Sequence, residues 1–205
     1  FFSMKKKILI IGAGGHAKSC IDIIESSTNY KINFVLGKKK EINNKILNYR
    51  VNLIEDNLKK IKGNQYGIVG IGQIKNSERR VYFYKLLKSL KIKIPKIISK
   101  KSYVSKYTNI GDGTIVFHNS IVNADVKIGV NCIINSKSLI EHDVVINDHV
   151  HISTGANING GCNIGDGSFI GSGAILKEGI SIGKNCVVGS GVILKNNISD
   201  NIIVR

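Results

Sequence analysis

The chain has 205 residues, 42% of them hydrophobic, with a single proline and a formal net charge of +16. That length holds one large or two small domains, and no apolar run is long enough for a membrane span or a secretory signal, so a cytoplasmic protein with no membrane span is expected. The charge is lopsided: residues 1–100 carry 22 Lys and Arg against 6 Asp and Glu, an excess of 16, while residues 101–205 carry 8 of each. A basic half points to phosphorylated ligands; because the excess is mostly lysine and no nucleic-acid module accompanies it, nucleic acid is not expected as a partner.

Phe1, Phe2 and Ser3 precede Met4 and read as an added leader, so the first domain is expected over residues 4–97 and a second over 98–205. Residues 7–11 (Lys-Ile-Leu-Ile-Ile) form a short apolar run of the kind a buried parallel strand shows. A glycine turn follows at 12–17, Gly-Ala-Gly-Gly-His-Ala, then an amphipathic run over 18–25 with Ile21, Ile23 and Ile24. Residues 32–36 and 66–71 predict a second and a third strand. Residues 77–90 predict a helix with Val81, Tyr84 and Leu87 on one side, and 93–98 a last strand. Strands alternating with helices give a small Rossmann-like α/β domain with a parallel sheet.

Gly12-x-Gly14-x-x-Ala17 fits the phosphate-binding fingerprint, in which glycines let a phosphate approach the backbone at a helix N-terminus. An NAD site also wants an acid at the end of the second strand. Residues 35–40 are Val-Leu-Gly-Lys-Lys-Lys instead, so a single nucleotide diphosphate fits better. The segment Gly72-Gln73-Ile74-Lys75 follows the third strand, at the carboxyl edge where such a ligand sits. Arg80 reads equally as a phosphate contact or a helix-surface residue.

From residue 98 to residue 194 an aliphatic side chain recurs every sixth position, from Ile98 and Val104 to Val188 and Leu194, through 17 hexads. A short fixed period of this kind means a solenoid, here a parallel β-helix. Three hexads make an 18-residue triangular coil, with the aliphatic lead pointing inward. Four residues after each lead stands a small or β-branched residue, such as Thr114, Ala156 or Ala174. Cys132, Cys162 and Cys186 share that inward offset. With no CxxC pair among the four cysteines, no metal is expected.

Two groups of residues carry a family resemblance: the turn at 12–17, and the hexads holding Ile140-Glu-His-Asp143 and His151-Ile-Ser-Thr-Gly-Ala156. From Met4 onward the chain resembles the hexapeptide-repeat sugar acyltransferases, the sialic acid O-acetyltransferases and bacillosamine-type N-acetyltransferases. The resemblance implies a left-handed β-helix, acetyl-CoA as donor, a homotrimer and an active site between adjacent β-helices. It makes His142 the general base and Asp143 the acid that orients it, a pairing that suits proton removal near neutral pH. It further implies that Asn135 touches the reacting group, His151 touches acetyl-CoA and Gly160 serves the oxyanion. Gly160 lies one coil after His142. The turn residues Gly14, Gly15 and His16, with Gly12, are matched to the nucleotide-sugar site, and Gly72, Gln73 and Lys75 are added as acceptor contacts.

Gly155, Gly173 and Gly191 stand 18 apart, with Ala156, Ala174 and Val192 beside them; together they suggest a small-residue groove for the pantetheine arm. Two departures from the family pattern stand out. Leu36-Gly37-Lys38 replaces the acidic pair that reads uracil, and no Gly-x-Pro-Ala tail follows before Arg205.

The expected activity is N-acetylation of a nucleotide-linked amino sugar. O-acetylation of a sialic-acid-like hydroxyl is the near alternative. A non-catalytic sugar-binding or assembly protein, and a zinc carbonic anhydrase on the same coil, are the more distant ones.

Overall fold

The computed structural model describes residues 5–61 and 65–205; the leader expected at Phe1–Ser3 and the domain start at Met4 lie outside the described residues. The chain forms two units. One runs to Gly72 and resumes over Arg79–Pro95; the other combines Gln73–Glu78 with Lys96–Arg205. Residues 73–78, expected with the first domain, therefore belong with the coils.

The first unit is built on four parallel strands: β1 (Lys6–Ile11), β2 (Tyr30–Gly37), β5 (Leu53–Ile54) and β6 (Tyr66–Val69), in the order β5-β2-β1-β6. A hairpin of β3 (Lys45–Ile46) and β4 (Tyr49–Arg50) lies outside that sheet. β1 sits between two neighbours and Ile8–Ile11 are fully buried, which is why its apolar run is continuous rather than alternating. Helix α1 (Gly15–Ser27) buries Ala17, Cys20, Ile21, Ile23 and Ile24.

Helix α2 (Glu78–Ser89) buries Arg80, Phe83, Tyr84 and Leu87, one face of a helix; of the expected stripe Tyr84 and Leu87 are buried, while Val81 is half-buried and Arg80 and Phe83 take the adjoining buried positions. The expected last strand over 93–98 is divided. Lys93 bridges Tyr66, while Ile97–Ile98 joins the coils by pairing with Ile115–Val116. β3, β4 and β5 were not expected. At two residues each they are too short to show a period.

In the second unit each hexad contributes one two-residue strand, from Ile97–Ile98 to Ile193–Leu194, and these stack into three parallel sheets of a left-handed β-helix. Each strand pairs with the one 18 residues on, as Ile134 does with Ile152 and Ile140 with Ile158. The leads form a continuous buried stack down the prism. The small residues at the fourth offset serve the corners. Thr114, Cys132, Ser168 and Cys186 each donate a side-chain hydrogen bond to a backbone carbonyl 13 to 15 residues ahead. That need explains a small residue with a donor at an inward position.

Three residues after each lead the backbone turns with positive φ in every hexad from Gly113 to Gly191, through Asn119, Asp125, Asp143 and His149 among others. Gly, Asn and Asp tolerate that conformation best. The last coil is short by two residues: Ile182 bridges Ile198 and Val188 pairs with Val204. No helix among the described residues is long and apolar enough to cross a membrane.

Candidate active site

The first unit has a cleft of about 270 Å³ at the carboxyl ends of its strands. Its floor is the glycine turn and the Gly70–Gly72 loop. Gly12 is there for backbone reasons. Its φ is +115°, and a Cβ would stand 2.9 Å from both the Gly70 carbonyl oxygen and Ile71 Cγ1. Gly14 and Gly15 are different: neither has positive φ, and a Cβ on either would meet nothing within 4 Å. Their missing side chains leave open space at the N-terminus of α1, where free backbone N–H groups favour an anion.

Charged groups rim the cleft: Lys38, Glu41, Glu55 and Arg79. Arg79 grips Glu55 with two bonds of 2.6 and 2.7 Å from Nη2. Glu41 accepts the Lys38 N–H at 2.7 Å. Lys38 belongs to the lysine run after the second strand; Glu41, Glu55 and Arg79 escaped the sequence reading because they come from three segments with no common spacing. His16 and Gly72 line the cleft as expected, while Gln73 and Lys75 are not among its lining residues. Gln73 is instead buried among the coils, with its side chain donating to the Gly167 carbonyl at 2.8 Å. Arg80 neither reaches into the cleft nor lies on the helix surface. It is 1% exposed and donates to the Ile71 carbonyl at 2.6 Å, bracing the loop from behind.

In the second unit His142 and Asp143 occupy a corner after Leu139–Ile140. The positive φ of Asp143, +60°, folds its carboxylate back so that Oδ2 lies 2.7 Å from His142 Nδ1. This explains how two neighbours in sequence meet. In a plain strand they would point to opposite faces. The hydrogen bond from Nδ1 to Asp143 raises the His142 pKa above its ordinary value; the nearby negative charges of Asp143 and Glu141 add to this, and partial desolvation works against it. Both side chains are about two-thirds exposed.

One coil on, Gly160 faces the imidazole. A Cβ there would lie 2.8 Å from Cε1 and 3.0 Å from Nε2. The next residue's N–H, from Gly161, donates to the His142 carbonyl at 3.0 Å and so anchors the base to the following coil. Among the described hydrogen bonds the Gly160 N–H donates to none. At another corner the matching N–H groups of Val130 and Asp148 are taken by the carboxylates of Asp148 and Asp166, one coil ahead. Gly160 thus keeps a donor beside the base.

Asn135 and His151 are adjacent, with Asn135 Nδ2 3.3 Å from His151 Nε2. Gly155, Gly173 and Gly191 have positive φ and open space where a Cβ would be. Ala174 corrects the expected groove: it and Ala156 are fully buried in the interior stack, so their side chains line no outer surface.

A glycine turn on a parallel sheet, followed by a hexad prism with an acid-held histidine at one corner, defines a hexapeptide-repeat sugar acyltransferase. The PglD N-terminal domain family matches residues 7–86, and the bacterial transferase hexapeptide family (six repeats) matches residues 161–196. No match was found among curated proteins.

Among solved structures, the acetyltransferase domain of PglB from Neisseria gonorrhoeae FA1090, in complex with acetyl coenzyme A, is 25% identical with a TM-score of 0.89, covering 98% of this chain and 96% of that one. PerB from Caulobacter crescentus, in complex with CoA and GDP-perosamine, is 23% identical with a TM-score of 0.87, covering 96% and 92%. WeeI from Acinetobacter baumannii AYE is 22% identical with a TM-score of 0.84, covering 97% and 96%. Two family models and these neighbours agree on one likeness: the chain is similar, over nearly its whole length, to the PglD-like hexapeptide-repeat sugar acyltransferases.

Proposed function

We propose that the protein transfers the acetyl group of acetyl-CoA to an amino group of a nucleotide-linked sugar, with His142 as general base. The observation that carries this reading is the His142 imidazole held between the Asp143 carboxylate and Gly160. With Nδ1–H donating to Asp143, the lone pair on Nε2 takes a proton from the acceptor nitrogen as that nitrogen attacks the thioester carbon. A C–N bond forms. The tetrahedral oxyanion accepts a hydrogen bond from the Gly160 N–H, the C–S bond breaks, and the imidazolium returns its proton to the sulfur of CoA. No covalent enzyme intermediate is required.

The bare backbone at Gly155, Gly173 and Gly191 supports a place for the pantetheine arm. The PglB domain and PerB bind acetyl-CoA and CoA respectively, which supports the same donor here. The open N-terminus of α1, with Lys38 and Arg79 at the cleft, supports binding of a nucleotide diphosphate in the first unit. Such substrates place the enzyme in the cytoplasm.

The test is CoA release from acetyl-CoA with UDP- and GDP-linked amino sugars, free sialic acid and CMP-sialic acid. Release with an amino sugar is expected. Release with sialic acids alone would move the reading to O-acetylation. Binding of acetyl-CoA with no release for any acceptor would count against the reading.

The active assembly in this reading is a homotrimer. The outward positions on the three prism faces support it. On one face Ile97, Ile115, Ile133, His151 and Phe169 are already buried within the chain. On the second, Asn109, Lys127, Asn163 and Ser181 are polar and exposed. The third carries Tyr103, Ile121, Leu139, Ile175 and Ile193, and the outermost of these are 60%, 43% and 62% exposed at Tyr103, Ile121 and Ile193. Only Asn157 interrupts this otherwise apolar face, which asks for a partner, and His142 sits at the corner that ends it. A ring of three copies covers it by a contact that closes on itself. The double variant Ile121→Glu with Ile193→Glu is expected to sediment as a single chain, while Lys127→Glu keeps the trimer mass. A wild-type mass of one chain would sink the trimer.

A further inference from the structure

Gln73 is separated from His151 by 78 positions, yet the two are in direct contact. The His151 Nδ1 lies 2.8 Å from the Gln73 main-chain oxygen, and both residues are buried. A carbonyl only accepts, so Nδ1 carries the proton. On the other side of the ring, Asn135 is fixed in orientation because its Oδ1 accepts the Ser136 N–H at 2.8 Å. Its Nδ2 therefore faces His151 Nε2, 3.3 Å away, and a donor there requires a lone pair on Nε2. Only the neutral imidazole with hydrogen on Nδ1 satisfies both neighbours. Phe169 packs edge-on against the ring at 5.1 Å and holds its plane.

What fixes the carbonyl is the Gln73 side chain, whose Nε2 donates to the Gly167 carbonyl at 2.8 Å. Its Oε1 is buried without a hydrogen-bond partner. A residue kept only for stability would avoid that cost, since an apolar side chain of the same size would fill the space with no unsatisfied oxygen.

We propose that Gln73 is a positioning residue for acetyl transfer: it locks His151 in the Nδ1–H tautomer and thereby aims the Asn135 amide, whose second N–H is left to point at the reacting group. The relay Gln73–His151–Asn135 rests on the acetyltransferase reading for its purpose but not for its geometry. Gln73 holds the carbonyl, the carbonyl sets the tautomer, and the tautomer sets which way Asn135 donates.

The test uses the full chain labelled with ¹⁵N-histidine, compared with Gln73→Met, a swap of similar volume that removes the amide. In wild type, long-range proton–nitrogen spectra at neutral pH are expected to show His151 with a protonated Nδ1 and a bare Nε2. In Gln73→Met that signature is expected to weaken or average with the other tautomer. The melting temperature should stay level or rise, and kcat should fall roughly tenfold. A purely structural role predicts the reverse pattern: a lower melting temperature with tautomer and kcat unchanged. Finding His151 in the Nε2–H or doubly protonated form in wild type overturns the proposal, as does an unaltered tautomer and kcat in the variant. A tautomer change in Gln73→Met, with no transfer by either protein to any acceptor, upholds the lock and removes the acetyltransferase reading instead.

Discussion

Replacing His142 with alanine is expected to lower kcat by roughly 10²–10⁴-fold, the usual contribution of a positioned general base. The side chain is 66% exposed, so its loss opens no cavity, and the melting temperature should not move. Steady-state CoA release and a thermal melt on the same preparation check both halves. A His142→Ala enzyme with wild-type turnover would end the general-base reading.

The pH profile gives the sign of the Asp143 effect. The hydrogen bond to Asp143 raises the His142 pKa, so the neutral base becomes available only as pH climbs through that raised value. In wild type, log kcat/KM should rise with pH and then level. Asp143→Asn removes the carboxylate; the pKa drops back toward the ordinary histidine value and the rising limb moves to lower pH. The plateau falls as well, because the ring is less basic and less firmly oriented. Since both groups are largely exposed, added salt should shift the wild-type limb downward and leave the variant's nearly in place.

The coils were legible in the sequence because every hexad repeats one physical demand: an aliphatic lead into the prism, a small residue four on, and a residue that tolerates positive φ between them. The closeness of His142 and Gly160 was legible for the same reason, since an 18-residue coil makes the two nearest neighbours. What the period does not govern was not legible. Gln73 meets His151 across 78 positions, and Glu41, Glu55 and Arg79 gather from separate segments whose spacing follows no repeat. Ala174 was misjudged in the other direction. The same periodicity that placed it beside Gly173 also turns its side chain into the core. The two-residue contraction of the last coil falls around Asn196 and Asn197, where the six-residue frame ends without a break in composition.

Two adjacent glycines separate chemistry from folding in a single experiment. Gly160 has no positive φ, so alanine suits its backbone, but the new Cβ would stand 2.8–3.3 Å from three atoms of the His142 ring. The ring is exposed and free to swing away, whereas the coil backbone is not, so the imidazole yields. It then leaves its place against Asp143 and beside the reacting carbon. A displacement of about 1 Å is enough to cost roughly 10²-fold in rate. The Gly160 N–H survives the substitution, so the loss reports on the base and not on the oxyanion donor.

Gly161 is the converse. Its φ is +68°, and a Cβ there would approach only Gly179 Cα at 3.9 Å, well clear of the histidine. Alanine strains that backbone by about 1 kcal/mol, which lowers the melting temperature by about 2–4 °C in a chain of this size and leaves kcat unchanged. Gly160→Ala should therefore lose activity and keep its melting temperature, and Gly161→Ala should do the opposite. If both variants lose only stability, His142 is not held against Gly160 in the working enzyme.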